Sequence, residues 1–192
     1  DHKSSRWLGD VYKRQVWNGL MFINFDKRCN SLESIYEKLE KRLNKRNFSS
    51  YQFYKRDSYN ISCNWKIYMD NYLEGLHIPI VHPELNKTIN YKSYKTEKHD
   101  QFSLQWCSID PQLNPYKNDS SKDLIAYYVT IFPNVILNIA PGRLQTNIVE
   151  PIDEKNCSVH FDYYFEQIDE KQIQKDLDFS DIIQREDIEI CE

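Results

Sequence analysis

The stretch Tyr127–Phe165, YYVTIFPNVILNIAPGRLQTNIVEPIDEKNCSVHFDYYF, decides the fold class. It contains four short segments rich in β-branched and aromatic residues, separated by the turn residues Pro133-Asn134, Pro141-Gly142 and Asp153–Asn156. Strands that follow one another this closely favour antiparallel pairing, because a parallel pair needs a long crossover. We therefore predict four consecutive antiparallel strands, at Tyr127–Phe132, Val135–Ile139, Leu144–Glu150 and Ser158–Phe165.

Helices and further strands are predicted on both sides of this stretch. Ser31 is a suitable N-cap for a helix whose apolar residues recur at helical spacing from Leu32 onward. From about Asp169 the apolar spacing indicates another helix, interrupted near Phe179-Ser180. The fold class is α+β, an antiparallel sheet with helices packed on one face. The other predicted elements are strands at Val16–Phe25, Tyr51–Ile61 and Phe102–Cys107 and a helix over Trp65–Leu73, capped by Asn64.

Composition excludes several classes of protein. The 192 residues include 14 Tyr, 9 Phe and 4 Trp, which is typical of a packed domain and not of a disordered chain. A formal net charge of -4 gives no positive field for nucleic acid, and no apolar run approaches the roughly 18 residues of a membrane span. The five cysteines lie far apart with no CxxC, which argues against a zinc site or iron–sulfur cluster held by this chain alone. We expect a cytoplasmic protein that binds neither nucleic acid nor a membrane.

The beginning of the chain differs from the rest. Asp10–Gln15 (DVYKRQ) is what a transposon end used in sequencing-library preparation encodes in one reading frame. We therefore expect residues 1–15 to be adapter-derived or non-native and exclude them from fold reasoning. Glu192, at the other end, falls within a predicted helix. From the two observations together we expect the chain to be truncated at both ends.

Potential metal ligands are concentrated in Asn64–Leu85, NWKIYMDNYLEGLHIPIVHPEL. This segment holds Glu74, His77 and His82, in a chain with only five histidines. Two imidazoles and a carboxylate are the ligand set of mononuclear non-heme iron, which keeps positions open for O2 and substrate. The two histidines lie about 140° apart around an ideal helix, so both reach one metal only if the backbone departs from that helix. We expect Pro79 to cause this departure.

The residues alone leave other interpretations open. Two histidines at this spacing are more often a surface histidine and a buried, hydrogen-bonded one than two metal ligands. The zincin motif HExxH is absent, and a di-iron bundle needs a second Glu-x-x-His that the sequence lacks. His99 lies in a charged segment, and His160 alternates with apolar residues of a predicted strand. We expect neither of these two to be a ligand.

A family resemblance favours the iron site. The motif NWK…DNYLEGLHIPIVHPEL resembles the mononuclear-iron motif of the catalytic α subunits of Rieske non-heme iron oxygenases, the ring-hydroxylating oxygenase family. Val16–Asp26 resembles the last strand of that family's Rieske domain, and Phe132–Pro151 and Glu186–Glu192 resemble later segments of its catalytic domain. The resemblance implies the closing strand of a missing Rieske domain at 16–28. It implies a mononuclear-iron catalytic domain of helix-grip type, truncated at its C-terminal end, at 29–192.

The resemblance also implies roles for individual residues. His77, His82 and Asp187 would be the ligands of Fe(II). Glu74 would link the iron site to the Rieske cluster of a neighbouring subunit, and Asn71 would lie near the iron. We expect Glu74 to point away from the substrate cavity and to have no partner within this chain. Four residues are expected to line the substrate pocket: Tyr127, Phe132, Leu137 and Leu144.

The implied function is oxygenation of a small organic substrate with O2, as in the catabolism of aromatic compounds. Electrons would come from a [2Fe–2S] Rieske cluster that is expected only in the full-length protein, and a reductase or ferredoxin would reduce that cluster. The cluster's paired motifs, a Cys-x-His followed by a Cys-x-x-His, are not present together in this sequence, because no Cys-x-His precedes its single Cys-x-x-His, Cys157–His160. The full-length protein would be a homo-oligomer, a trimer or a multiple of one.

The substrate implied by the resemblance is either an aromatic ring or a quaternary amine. Glu74 and the HPEL ending of the motif look closer to the branch that acts on choline- or carnitine-like quaternary amines than to naphthalene-type dioxygenases. A non-enzymatic ligand-binding domain of the helix-grip kind is the alternative, because both classes are built on the same fold.

Overall fold

In the computed structural model, the described residues are 13–26, 28–43, 46–110 and 124–192. Residues 1–12 lie outside them, and with them most of the segment predicted to be non-native. The chain divides into two compact units, residues 1–50 and 51–192. In the described part of the chain, no helix is long and apolar enough to cross a membrane. The predicted domain boundaries stay predictions.

Nine strands and five helices are described, together with a 3₁₀ turn at Tyr91–Ser93. The strands are β1 (Lys13–Trp17), β2 (Leu20–Asn24), β3 (Gln52–Ile61), β4 (Lys95–Lys98), β5 (Phe102–Ser108), β6 (Ile125–Ile131), β7 (Val135–Ala140), β8 (Arg143–Pro151) and β9 (Cys157–Phe165). The helices are α1 (Leu32–Arg42), α2 (Trp65–Tyr72), α3 (Ile78–Val81), α4 (Pro83–Thr88) and α5 (Glu170–Cys191).

The first unit contains a β-hairpin where a single strand was predicted over Val16–Phe25. Strands β1 and β2 pair with Trp17 opposite Leu20, so Asn18 and Gly19 form a two-residue turn. Both turn residues have positive φ, 50° and 85°, which is the requirement of the hairpin turn that Asn-Gly favours. The prediction of one strand was wrong because this turn signal was overlooked. The helix predicted after Ser31 is confirmed as α1, and the Ser31 side chain accepts from the Ser34 N–H.

The second unit is built on one sheet of seven antiparallel strands in the order β3-β9-β8-β7-β6-β5-β4. The four strands predicted in Tyr127–Phe165 are confirmed as β6 to β9, each within two residues at either end. Strands β3 and β5 and helix α2 are confirmed as well, whereas β4 was not predicted. Strand β3 is the first strand of this unit in sequence, and it pairs with the last strand, β9. It therefore forms one edge of the sheet.

Helices α2 and α5 cover one face of this sheet. Their buried residues share a core with Val149, Phe161 and Tyr163, which face the same side of β8 and β9. Tyr68 and Met69 enter that core from α2, and the α5 contribution comes from Ile173, Leu177 and Cys191. The predicted α+β class, with an antiparallel sheet and helices on one face, is confirmed.

Helix α5 runs without a break from Glu170 to Cys191, so the interruption predicted near Phe179-Ser180 is wrong. Ser180 is buried, and its Oγ lies 3.0 Å from the Tyr163 hydroxyl of β9. A serine hydroxyl disturbs a helix when it bonds to the helix's own backbone, and this one has a partner on the sheet. The apolar spacing is irregular here because one side of α5 packs in the core while the adjacent side, which includes Ser180 and Gln184, lines a cavity.

The packing of α5 gives a stability prediction. Ile173→Ala removes a side chain that is 0% exposed and should lower the free energy of unfolding by about 2–5 kcal/mol. Ile182→Ala on the same helix is the matched control, because that side chain is 46% exposed and should cost about 0.5 kcal/mol or less. Equal losses in urea denaturation would contradict the described placement of α5.

Candidate metal centre

The two motif histidines flank a single helical turn. Helix α2 ends at Tyr72, and α3 then spans only Ile78–Val81, with His77 at its N-cap position and His82 at its C-cap position. Pro79 lies in the first turn of α3, where a missing N–H is tolerated, so it does not cause the departure predicted for it.

The departure occurs at His82 instead. This residue has φ -114° and ψ 73°, outside the helical region, and it directly precedes Pro83. A proline disfavours helical geometry in the residue before it, because its ring collides with that residue's backbone. Pro83, and not Pro79, therefore explains how the second imidazole turns back toward the first.

His77, His82 and Asp187 converge on one point. One potential ligand atom from each lies within 4.8 Å of the others, although Asp187 is more than a hundred residues away in sequence. His82 Nε2 is 3.1 Å from Asp187 Oδ1, and His77 Nε2 is 3.8 Å from the same oxygen. The two imidazole rings have centroids 5.1 Å apart. His82 is 1% exposed, so the point of convergence is largely shielded from solvent.

These distances fit a shared first-row metal ion. Two ligand atoms about 2.1 Å from one ion are about 3.0 Å apart at a right angle and about 4.2 Å apart on opposite sides. The separations of 3.1 and 3.8 Å lie within that interval, and all three potential ligand atoms lie within 4.8 Å of one another. Two imidazoles and one carboxylate are also the donor set of non-heme Fe(II) sites with open positions. The residues present therefore fit Fe(II).

Each imidazole has a carboxylate on its other nitrogen. His77 Nδ1 lies 2.6 Å from Glu74 Oε1, and His82 Nδ1 lies 2.7 Å from Glu186 Oε2. A carboxylate at Nδ1 holds the proton there, leaves the Nε2 lone pair for a metal and fixes the orientation of the ring. Both Nε2 atoms are the ones that face Asp187.

The expectation that Glu74 points away from the cavity and lacks a partner is wrong. Besides its contact with His77, its Oε2 accepts a hydrogen bond from the Leu76 N–H, and the residue lines the cavity. Glu74 lies in the short connection between α2 and α3, where its carboxylate folds back on the chain that follows it. Its side chain is still 41% exposed, so one side faces solvent.

Two hydrogen bonds join helix α5 to α2 next to the convergence point. Asn71 Nδ2 donates to Asp187 Oδ1 over 2.7 Å, and the Tyr68 hydroxyl donates to Gln184 Oε1, also over 2.7 Å. Tyr68 and Asn71 are three residues apart on α2, and Gln184 and Asp187 are three residues apart on α5. Burial raises the pKa of Tyr68 well above its usual value, so its hydroxyl stays a donor.

The convergence point opens into a cavity of about 690 Å³, within the range of small-molecule sites. Its walls combine tyrosine rings with amide side chains from the sheet. At one wall Arg143 Nη1 donates to Asp176 Oδ2 over 2.8 Å. The lining includes Tyr72, Tyr94, Tyr128, Gln105, Asn138 and Gln145.

None of the four predicted pocket residues lines this cavity. Tyr127, Leu137 and Leu144 each stand one residue away from a lining neighbour, and successive side chains of a strand point to opposite faces. Phe132 follows β6 and is 72% exposed. The predictions chose apolar positions, whereas the cavity-facing positions of β7 and β8 carry Asn138 and Gln145.

Glu186 was missed as a site residue. It directly precedes Asp187 in the segment that carries the family resemblance, so its position was a usable signal. The direction of the Glu186 side chain could not be predicted from the sequence. On a helix, neighbours in sequence point about 100° apart, and only the location of His82 shows that both carboxylates reach one imidazole.

The carboxylates of Asp187 and Glu186 raise the pKa of His82. Burial alone would lower the pKa of this imidazole, but hydrogen bonds and charge from Asp187 and Glu186 outweigh it, and the pKa is raised above its usual 6.5. The imidazole without a metal therefore holds a proton more tightly than an ordinary histidine.

Comparison with known proteins identifies the family. Residues 48–192 match the family described as the ring-hydroxylating α subunit, catalytic domain. This match covers about three quarters of the chain and includes every residue of the convergence point. The chain belongs to this family. Membership favours the oxygenase interpretation over the non-enzymatic ligand-binding alternative, because the matched region is a catalytic domain.

The similar curated proteins are monooxygenases. The chain is 33% identical over 141 residues to a chloroplastic choline monooxygenase of Arabidopsis thaliana, covering 71% of this chain and 33% of that protein. It is 27% identical over 187 residues to the carnitine monooxygenase oxygenase subunit of Acinetobacter pittii, covering 94% of this chain and 50% of that protein. The chain thus spans between a third and a half of the length of these relatives.

Solved structures share the fold. A quaternary ammonium Rieske monooxygenase in complex with an inhibitor superimposes with a TM-score of 0.77 at 22% identity, covering 94% of this chain and 49% of that one. Naphthalene 1,2-dioxygenase from Rhodococcus sp., bound to indole, superimposes with a TM-score of 0.70 at 16% identity. The match covers 94% of this chain and 53% of that one. The fold is that of Rieske oxygenase α subunits.

Metal titration tests the three ligands. With Co(II) as a spectroscopic substitute for Fe(II), His77→Ala, His82→Ala and Asp187→Ala should each abolish tight binding, because each removes one of three donors. Glu186→Gln keeps the ligands but removes a charge behind His82, and should weaken binding about 10–100-fold. His160→Ala, on the surface of β9, is the control and should bind as the parent does. The assignment is wrong if His77→Ala and His82→Ala also bind like the parent.

A pH titration tests the electrostatics of His82. Metal must displace the proton that Asp187 and Glu186 help to hold, so affinity should fall as the pH drops through the raised pKa. Co(II) titrations between about pH 5 and 8 would measure this fall. In Glu186→Gln the fall should move to lower pH, because one of the two carboxylates that raise the pKa is gone. An affinity independent of pH over this range would contradict the account.

Proposed function

We propose that this chain provides the mononuclear Fe(II) centre of an oxygenase α subunit that hydroxylates a small organic substrate with O2. The observation that carries the proposal is the convergence of His77, His82 and Asp187 at the wall of a cavity. The electrons would come from a [2Fe–2S] Rieske cluster in another part of the full-length protein, reduced by a reductase or ferredoxin. A homo-oligomer in which the cluster of one subunit serves the iron of its neighbour, located in the cytoplasm, is part of the same proposal.

The side chains of this chain would bind Fe(II), orient its ligands and shield them from water. Fe(II) supplies the one-electron and O2 chemistry that amino-acid side chains lack. Glu74 and Glu186 keep the Nδ1 protons of the two imidazoles in place, and Asn71 holds the Asp187 carboxylate toward them. Burial of the His82 imidazole keeps bulk water away from its contacts with Glu186 and Asp187, which strengthens them.

Glu74 is also proposed as the link to a neighbouring subunit's cluster. Its carboxylate contacts the imidazole of His77, and its side chain is 41% exposed. A group that touches an iron ligand on one side and solvent on the other can connect that ligand to a docked partner. This arrangement supports the role that the family resemblance implied.

For the substrate we propose a quaternary amine in preference to an aromatic ring. The similar curated proteins are named for choline and carnitine. Three tyrosines, Tyr72, Tyr94 and Tyr128, line the cavity, and the rings of the last two are stacked with centroids 6.2 Å apart. Aromatic rings attract a trimethylammonium group through the negative charge of their faces.

The test uses the longer protein that contains this chain and its cluster domain, reconstituted with a reductase and Fe(II). Choline or carnitine should give an 18O-labelled product from 18O2, detected by mass spectrometry. The Asp187→Ala variant should consume no O2 in coupled turnover, because it lacks a ligand. Product from aromatic acids alone would overturn the proposed substrate class, and no product from any substrate with the iron bound would overturn the function.

A neutral analogue separates cation recognition from shape. In 3,3-dimethylbutan-1-ol a carbon atom replaces the nitrogen of choline, so the size is kept and the charge is lost. Choline should bind about 2- to 30-fold more tightly than this analogue, and Tyr128→Leu should reduce the ratio. Equal binding of the two compounds by the parent protein would contradict a cation site.

A further inference from the structure

Two hydrogen bonds join α2 to α5 in matching register. One connects Asn71 with Asp187, and the other connects Tyr68 with Gln184, one helical turn earlier on both helices. Residues three apart on a helix lie on the same face, so the two bonds form two rungs between the same pair of faces. The first rung touches a candidate ligand directly, whereas the second touches none.

The second rung is fully buried. Tyr68 is 3% exposed and Gln184 is 2% exposed, so water does not compete for the bond. The amide nitrogen of Gln184 is also buried and has no hydrogen-bond partner within the described residues. A buried donor without a partner destabilises the fold, and an apolar side chain at this position would avoid that cost. Gln184 also lines the cavity, and its bond to Tyr68 is the hydrogen bond that holds its amide in place there.

The position of α5 relative to α2 determines whether Asp187 faces the two imidazoles. Rotation of α5 about its axis by one residue, about 100°, would carry the Asp187 side chain away from both imidazoles. Core packing and the contacts of Asp176 and Ser180 hold α5 on the sheet. Between α5 and α2 themselves, the bond from Asn71 fixes only one point near Asp187. The bond from Tyr68 adds a second point one turn away on the same face, which limits rotation of the part of α5 that carries Asp187.

We propose that Tyr68 and Gln184 are positioning residues that hold Asp187 in the orientation required of a metal ligand. The inference rests on the proposed function, since it concerns the same metal site. Neither residue is a ligand in this account, and both act through the placement of α5.

The test measures Co(II) affinity and the visible Co(II) spectrum of the 192-residue chain. Tyr68→Phe keeps the ring in the core and removes only the hydroxyl, while Gln184→Met keeps the length and removes the amide. Each should weaken Co(II) binding about tenfold, the lower end of the effect of groups that orient ligands. Each should also change the Co(II) spectrum at saturating metal, because the carboxylate is no longer held in one orientation.

Tyr163→Phe is the matched control. It too removes a buried tyrosine hydroxyl that bonds to α5, at Ser180, but that contact lies two turns from Asp187. It should lower stability without changing the affinity or the spectrum. The double variant Tyr68→Phe/Gln184→Met should bind Co(II) no more weakly than either single variant, because both changes break the same bond.

The outcomes separate this inference from the function on which it rests. A parent chain that fails to bind Co(II) overturns the proposed metal site and the inference together. A parent that binds, with folded Tyr68→Phe and Gln184→Met variants of unchanged affinity and spectrum, overturns the inference alone. Equal weakening by Tyr163→Phe would also overturn it, because general loosening of α5 would then explain the effect.

Discussion

The hydrogen bond from Asn71 to Asp187 is the contact on which the site depends. Its partners lie on helices that are more than a hundred residues apart in sequence, and six of the seven strands of the sheet, β4 to β9, lie between them. Helix α2 follows β3 and α5 follows β9, and these two strands are paired in the sheet. The sheet therefore delivers both helices to the same face, and the bond between them brings the carboxylate to the histidines.

The convergence of His77, His82 and Asp187 depends on this placement of the helices and on the non-helical backbone of His82. Pro83 forces His82 out of helical geometry, so two imidazoles five residues apart can face one point. Carboxylates then surround the imidazoles on both sides, with Glu74 and Glu186 at the outer nitrogens. Such an arrangement of negative charge is costly without a cation and favourable with one. The same charges that raise the pKa of His82 would stabilise a bound divalent ion.

Much of the fold could be predicted from the sequence, because short aromatic and β-branched runs are separated by Pro, Gly and Asn. The hairpin at Asn18-Gly19 was overlooked although its turn signal is local. The cavity wall could not be predicted in the same way. Leu137 and Leu144 are as buried as the cavity-facing Gln145, so both faces of these strands are covered and apolar character does not identify the cavity side. The convergence of residues distant in sequence came from the family resemblance and not from periodicity.

X-ray absorption spectroscopy of the Fe(II)-loaded chain tests the central claim most directly, because it reports the atoms bound to the metal. The account predicts nitrogen and oxygen ligands at about 2.0–2.2 Å, with outer-shell scattering from two imidazoles. Loss of one imidazole in His77→Ala and in His82→Ala would assign both rings. A parent spectrum with sulfur ligands, or with fewer than two imidazoles, would contradict the claim that His77, His82 and Asp187 bind one iron.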